Sequence, residues 1–157
     1  MRAGTWESYH AITTLLFRYA ECIDRADFAG LAVLFAQGRI RSSSGPAEGG
    51  WSGDEVRDFY ARTNKVHTDG TLRTRHLNTN HLVDIDEGAG VASVRSAYVV
   101  FQATPKLPFQ PIVGGRYEDR FERRGATWLW IERLIHVDQV GDVSEHLALD
   151  PKLLQRR

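Results

Sequence analysis

The sequence predicts an α+β domain: a conical barrel of a strongly curved, mostly antiparallel sheet packed on about three N-terminal helices. Three observations support this fold class. Apolar residues recur every three or four positions in the first third of the chain, they alternate with polar residues from residue 75 onward, and the helical patterns come before the strand patterns. The 157 residues are the length of one domain, so we expect a single folded unit over 1–157.

Three helices are expected, each with a recognisable start or stop. The first runs from about Trp6 to Ile23 and carries an apolar stripe at helical spacing. The second covers Phe28 to Phe35 and ends before Gly38. The third starts at the Ser52–Glu55 capping box, in which the serine hydroxyl and the glutamate carboxylate each bind a free amide, and continues to about Val66.

The remaining patterns predict a short edge strand, a flexible loop and two long hairpins. Asp86-Glu87-Gly88 is a good turn for the first hairpin. Thr104 to Pro111 contains three of the five prolines, and we expect a loop there because proline cannot donate to a strand ladder. The strands are expected within residues 38–44, 75–85, 91–101, 112–124 and 128–140.

Composition narrows the classes of function. Twenty Lys and Arg balance twenty Asp and Glu, so no charge attracts nucleic acid over distance and no nucleic-acid partner is expected. The single cysteine, Cys22, excludes an intrachain disulfide and a cysteine-rich metal site. No apolar run approaches the roughly 20 residues that cross a bilayer, and the first residues have no apolar signal core. We therefore expect a cytoplasmic protein without a membrane partner.

A polar group of side chains on the first long strand is a candidate site. His76, Asn78 and Asn80 share one face of this strand, and if that face is buried, the three side chains need partners that a ligand could supply. In the alternative, that face is solvated, and Leu77 and Ile85 face the core. The pattern favours neither.

Two residues of the first helix are further candidates. Asp24 lies at the margin of the apolar stripe, where its carboxylate is either drawn inward or binds local backbone amides as a turn residue; the pattern favours the turn. Tyr19 lies within the stripe, so its ring belongs to the core and its hydroxyl needs a partner.

The mouth of a conical sheet is a natural ligand site. We expect its lining to be apolar, to exclude water and to favour a small, flat hydrophobic molecule. The residues expected to line it are Leu16, Phe35, Phe59, Tyr98, Val100, Phe109 and Trp130.

Four ordered motifs resemble those of a known family. They are Leu15-Leu16-x-Arg18-Tyr19-Ala20-x-x-Ile23-Asp24-x-x-Asp27-Phe28-x-x-Leu31-x-x-Leu34-Phe35, Arg75-His76-x-x-Thr79-Asn80, Gly115-Arg116-Tyr117-x-Asp119-x-Phe121 and Trp128-x-x-x-x-Arg133. Together they resemble the SnoaL-like branch of the nuclear transport factor 2-like superfamily, which includes bile-acid-type dehydratases, dehydrochlorinases and polyketide cyclases.

The resemblance implies roles for four residues. Asp24 and His76 occupy the positions of the Asp–His dyad of the lyases in this branch. Tyr19 matches a tyrosine of the dehydratases, and Arg133 matches an arginine that faces the leaving group in the dehydrochlorinases. The second acid that some dehydratases carry on the 91–101 strand has no counterpart here.

These residue types suit proton abstraction from carbon. A neutral imidazole at His76 could act as general base, with Asp24 fixing its tautomer. Tyr19 could donate to an oxygen, and Arg133 could hold negative charge. We therefore expect an elimination or isomerisation of a small hydrophobic oxygenated ring compound without cofactor or metal, in which Asn78 and Asn80 contribute to substrate binding.

Two alternatives remain. The first is a non-catalytic ligand-binding protein or a structural subunit of the same fold. The second is a non-haem iron enzyme, since His136-Val137-Asp138 has the spacing of a facial triad that His146 or His81 would complete. The aromatic sheet exterior and the family resemblance also suggest a homo-dimer or homo-trimer.

Overall fold

The computed structural model describes residues 1–148. In this part of the chain no helix combines the length and the apolar character needed to span a membrane. The elements follow in the order α1 (Trp6–Asp24), α2 (Phe28–Leu34), β1 (Arg39–Ser42), α3 (Asp54–Thr63), β2 (Thr74–Asp86), β3 (Val91–Thr104), β4 (Leu107–Arg124) and β5 (Thr127–Val140).

The five strands form one curled sheet in the order β1-β5-β4-β3-β2. All neighbours are antiparallel except β1, which runs parallel to β5. The predicted α+β fold class is confirmed, but the sheet is not closed into a barrel. The four residues of β1 pair only with β5, and β2 at the other end pairs only with β3, so both remain edges.

The buried residues of helix α1 recur every three or four positions. They therefore form a stripe along one side of the helix, and this stripe packs against the sheet. The Thr5 side chain caps its first turn by accepting the Ser8 backbone N–H. The Trp128 indole N–H donates to the Ser8 hydroxyl at 3.0 Å, which joins the start of α1 to β5. Phe35, after α2, packs on Trp130 with ring centroids 4.7 Å apart.

Only half of the predicted capping box is formed at α3. The Glu55 carboxylate accepts the Ser52 backbone N–H at 3.2 Å, but Gly53 is the N-cap residue and no side chain caps the helix. The helix ends at Thr63 rather than near Val66, because the backbone at Asn64 is extended.

The predicted loop at Thr104 to Pro111 is wrong. The chain turns at 105–106, and β4 starts at Leu107, which pairs with Thr104. Pairing between β4 and β5 begins only at Val113, so the first residues of β4 pair on one side alone. A proline is tolerated at such an edge because its missing N–H costs no ladder hydrogen bond.

A bulge divides β2 into two halves. Even-numbered residues are directed inward before the bulge, and odd-numbered residues are directed inward after it. The register shifts between Thr79 and Leu82, and Asn80 within the shift has a φ of 55°. Before the bulge His76 is directed inward, and after it Ile85 is buried. Each of the two alternatives left open by the sequence therefore holds for one half of the strand.

Candidate active site

Asp24 and His76 form a buried hydrogen-bonded pair. Asp24 is the last residue of α1, and His76 is the third residue of β2. The His76 Nδ1 lies 2.7 Å from the Asp24 Oδ1, and each side chain is only 8% exposed. The Asp24 carboxylate also accepts the Thr74 hydroxyl at 2.7 Å and the His76 backbone N–H at 3.0 Å. The interpretation of Asp24 as a local turn residue is therefore wrong.

These contacts determine which nitrogen of His76 carries the proton. Burial alone would raise the pKa of Asp24, but hydrogen bonds from His76 and Thr74 outweigh it and hold that pKa below its ordinary value. An ionised carboxylate only accepts, so Nδ1 of His76 donates to it. Nε2 is then the nitrogen that can accept a proton.

His76 lines a cavity of about 190 Å³ bounded by α1, α3, the sheet and the segment after β5. Most of the wall is aliphatic or aromatic. Its apolar residues include Ile23, Ile40, Phe59, Val100, Val113 and Ile135. Such a lining favours an apolar ligand that makes only a few polar contacts inside the cavity.

A pair of tyrosines supplies hydroxyl groups to the same cavity. The hydroxyls of Tyr19 and Tyr60 lie 2.7 Å apart, and both residues are buried. Burial raises the pKa of each, that of Tyr60 more strongly, so both stay protonated. One hydroxyl donates to the other, which leaves one proton of the pair for a further acceptor. Tyr60 was not among the residues that the sequence singled out as site candidates.

Arg133 does not line the cavity. Its guanidinium makes two hydrogen bonds to Asp119, at 2.8 and 2.9 Å, with both side chains almost fully buried. It lies 3.8 Å from the ring centroid of Tyr117, 4.2 Å from that of Tyr19 and 4.5 Å from that of Trp130. The expectation that Arg133 faces a leaving group is therefore corrected: two tyrosine rings of the wall stack on it.

Of the predicted lining residues, Phe59, Tyr98 and Val100 lie on the cavity wall. Four others do not. Leu16, Phe35 and Trp130 are fully buried in the core beneath it, and Phe109 is 71% exposed and stacks on Phe101 at 5.2 Å.

The two predicted binding amides are also elsewhere. The Asn78 side chain donates to the Ser96 hydroxyl at 2.9 Å, and its carbonyl oxygen is 2.6 Å from His81 Nε2, so its polar atoms are paired inside the sheet. Asn80 is exposed because it lies in the bulge of β2.

Two wall residues that sequence analysis missed come from irregular segments. Trp51 directly follows the loop predicted to be flexible, residues 42–50. It stacks on Phe59 at 3.8 Å and exchanges two backbone hydrogen bonds with Ile40. His146 follows β5 and is 6% exposed; sequence analysis considered it only as an iron ligand.

The iron-binding triad considered as an alternative is not formed. His136 lies 2.9 Å from Glu118, whereas Asp138 pairs with Arg116 at 2.8 Å. Within residues 1–148, no group of three His, Cys, Asp or Glu side chains is arranged to hold a metal ion.

Comparison with known proteins identifies the family. A family model for the SnoaL-like domain matches residues 4–133. The chain belongs to the SnoaL-like family. The resemblance to the SnoaL-like branch of the nuclear transport factor 2-like superfamily is thus confirmed. A comparison with curated proteins finds no significant match.

Solved structures similar to this SnoaL-like domain share its fold. One is a Mycobacterium tuberculosis protein of unknown function, 27% identical, with a TM-score of 0.68 over 87% of this chain and 79% of that chain. A candidate scytalone dehydratase from Novosphingobium aromaticivorans is 20% identical, with a TM-score of 0.64 over 86% and 87%. The β subunit of a candidate aromatic-ring-hydroxylating dioxygenase from the same organism is 20% identical, with a TM-score of 0.63 over 85% and 91%.

In this SnoaL-like domain, the cavity brings a proton acceptor and a hydrogen-bond donor together. The imidazole of His76, oriented by Asp24, can take a proton from a bound molecule. The Tyr19–Tyr60 pair can donate a hydrogen bond to an oxygen of that molecule.

Proposed function

We propose that this SnoaL-like protein catalyses an elimination or isomerisation of a small, mostly apolar, oxygenated ring compound, with His76 as general base and without a cofactor. The 2.7 Å hydrogen bond to Asp24 from His76, whose side chain lines an apolar cavity, is the observation that carries this proposal. An oriented imidazole in a water-poor cavity is suited to remove a proton from an activated carbon.

The first step is proton transfer. Nε2 of His76 takes a proton from the carbon next to a carbonyl group, and the electron pair of the broken C–H bond moves towards the carbonyl oxygen. The Tyr19–Tyr60 pair donates a hydrogen bond to that oxygen, while the Asp24 carboxylate stabilises the imidazolium. Departure of a leaving group from the next carbon completes an elimination; return of the proton to another carbon completes an isomerisation.

Cavity size supports a substrate with one ring. An apolar cavity of roughly 150 Å³ holds benzene. The cavity beside His76 measures about 190 Å³, which leaves room for one ring and small substituents.

Hydrogen–deuterium exchange tests the first step without knowledge of the leaving group. Cyclohex-2-enone is incubated with the protein in D₂O, and loss of the proton signals next to its carbonyl group is followed by NMR. The wild type should accelerate the exchange. His76→Ala should reduce this acceleration by about 10²–10⁴-fold, and Asp24→Asn should also reduce it.

His10→Ala is the matched control, since His10 is an exposed histidine of α1. It should exchange like the wild type. Thermal melts establish that each variant is folded. Exchange that survives in folded His76→Ala would contradict the proposed base.

A non-catalytic role is the second candidate. It is supported by the similarity to a β subunit and by the exposed Phe109, which with Phe101 offers an apolar surface to a partner. Binding of cyclohex-2-enone without any accelerated exchange would favour this role.

The predicted homo-dimer or homo-trimer is tested by light scattering, where a monomer at micromolar concentration would contradict it.

A further inference from the structure

His146 lies on the segment of residues 143–148, here termed the C-terminal strap, which contributes His146 and Leu147 to the cavity wall. The strap is fixed to the end of α3 by backbone hydrogen bonds. Lys65 N–H donates to the His146 carbonyl at 2.8 Å, and Ala148 N–H donates to the Thr63 carbonyl at 2.9 Å. The backbone position of His146 is therefore set by the fold.

The His146 side chain is buried without a full set of partners. It is 6% exposed and lines the cavity, and its Nδ1 has no hydrogen-bond partner within residues 1–148. A neutral imidazole has one N–H donor and one acceptor nitrogen. Buried polar atoms are almost always paired, and no hydrogen bond to Nε2 is formed within residues 1–148 either, so the imidazole on the cavity wall has hydrogen-bonding capacity left for a ligand.

His146 is uncharged at neutral pH. Burial, together with the neighbouring His76, lowers the pKa of His146 to about 3. At neutral pH it is therefore an uncharged group that offers hydrogen bonds and does not compete for the proton that His76 removes.

We propose that His146 is a specificity-determining residue that hydrogen-bonds a second oxygen substituent on the ring bound in the cavity. This deepens the proposed function and rests on it for the place of the ligand. The Tyr19–Tyr60 pair has one proton left for a first oxygen, and His146 supplies a separate partner for another. The substrate class becomes rings with at least two oxygen functions.

Two matched probes test this assignment, phenol and resorcinol, which differ by one ring hydroxyl. Their dissociation constants are measured by calorimetry. Wild type should bind resorcinol about tenfold more tightly than phenol, the effect of one additional buried hydrogen bond. His146→Leu should bring this ratio close to one, and His146→Gln, which keeps a donor and an acceptor, should restore part of it. An unchanged ratio in His146→Leu would overturn the proposal.

A second measurement uses the wild-type protein and does not depend on how the variants fold. The ring ¹⁵N signals of His146 should shift on addition of resorcinol and much less with phenol. Signals that move equally with both probes, or not at all, would overturn the assignment.

The role of the Asp24–His76 pair is tested separately from that of His146. If deuterium exchange survives in His76→Ala, the proposed reaction fails, while the ratio of the two dissociation constants still tests His146. If exchange is lost in His76→Ala but the ratio does not respond to His146→Leu, only the assignment of His146 fails.

Discussion

Replacing Arg133 with Met is expected to lower the free energy of unfolding by about 3–5 kcal/mol, the cost of breaking a buried ion pair. The reason is the carboxylate that remains. Asp119 would lose hydrogen bonds of 2.8 and 2.9 Å and, among residues 1–148, would keep only the Trp130 indole N–H at 3.1 Å. At roughly 1.5–3 kcal/mol for each hydrogen bond to a charged group, the two lost bonds account for a penalty of this size.

Removing both charges should cost much less. The double variant Arg133→Met with Asp119→Leu leaves no buried charge behind, and replacing a buried ion pair with apolar side chains is often close to neutral. We expect it to recover at least half of the stability lost in the single variant. Part of the loss should remain, because the guanidinium also stacks on Tyr19 and Tyr117.

Urea unfolding followed by circular dichroism measures these differences. Fluorescence is less suitable because Trp130 belongs to the same cluster. Arg124→Met is the matched control: its contact with Glu122, at 3.7 Å, is exposed and should contribute less than about 1 kcal/mol. If Arg133→Met costs no more than Arg124→Met, the structural role assigned to Arg133 is refuted.

Three further substitutions test other features. Glu87→Gln should lower the melting temperature at pH 6, with a smaller difference at pH 2. A hydrogen bond from the backbone at the start of α1, together with further hydrogen bonds, lowers the pKa of Glu87 from 4.5 to about 2. The stabilisation by the Glu87 carboxylate is therefore present above pH 4.5 and is lost as the pH falls through 2. In urea titrations at pH 7 and 5, His146→Gln should lose less stability on acidification than wild type. Burial lowers the pKa of His146 from 6.5 to about 3, so at pH 5 the unfolded wild type binds a proton that the folded protein does not. Equal losses in the two proteins would contradict this. Gly115→Ala should lower the melting temperature by roughly 3–10 °C, because its Cβ would lie 2.0 Å from the His136 carbonyl oxygen, whereas Gly88→Ala, with its nearest atom at 3.5 Å, should melt like wild type.

The regular elements were predictable because their signals are local. Helix α1 spans Trp6–Asp24, within one residue of the bounds expected from its apolar period. The error at 104–111 arose because the effect of a proline depends on whether a neighbouring strand is present. The first residues of β4 form an edge because β5 pairs with β4 only from Val113 onward. This register depends on residues far along the chain, so no short stretch of sequence reveals it.

The site was less predictable, for the same reason. Residue pattern alone favoured a turn role for Asp24 and left the face of His76 open; it was the family resemblance that indicated a pair. Trp51 and His146 reach the cavity from irregular segments, whose positions depend on backbone contacts with distant residues such as Ile40 and Thr63. No periodic pattern of apolar and polar residues indicates such contacts.

The bulge in β2 explains how one strand serves both the core and the site. Side chains of a regular strand alternate strictly, so inward placement of His76 at an even position would also direct Asp84 inward and Ile85 outward. One additional residue at the bulge changes the parity, so that His76 lines the cavity while Ile85 is 1% exposed in the core. Asn80 suits this position because asparagine tolerates a positive φ better than most residues. The exposed Asn80 is thus a condition for one strand to place both the imidazole of His76 beside Asp24 and the side chain of Ile85 in the core.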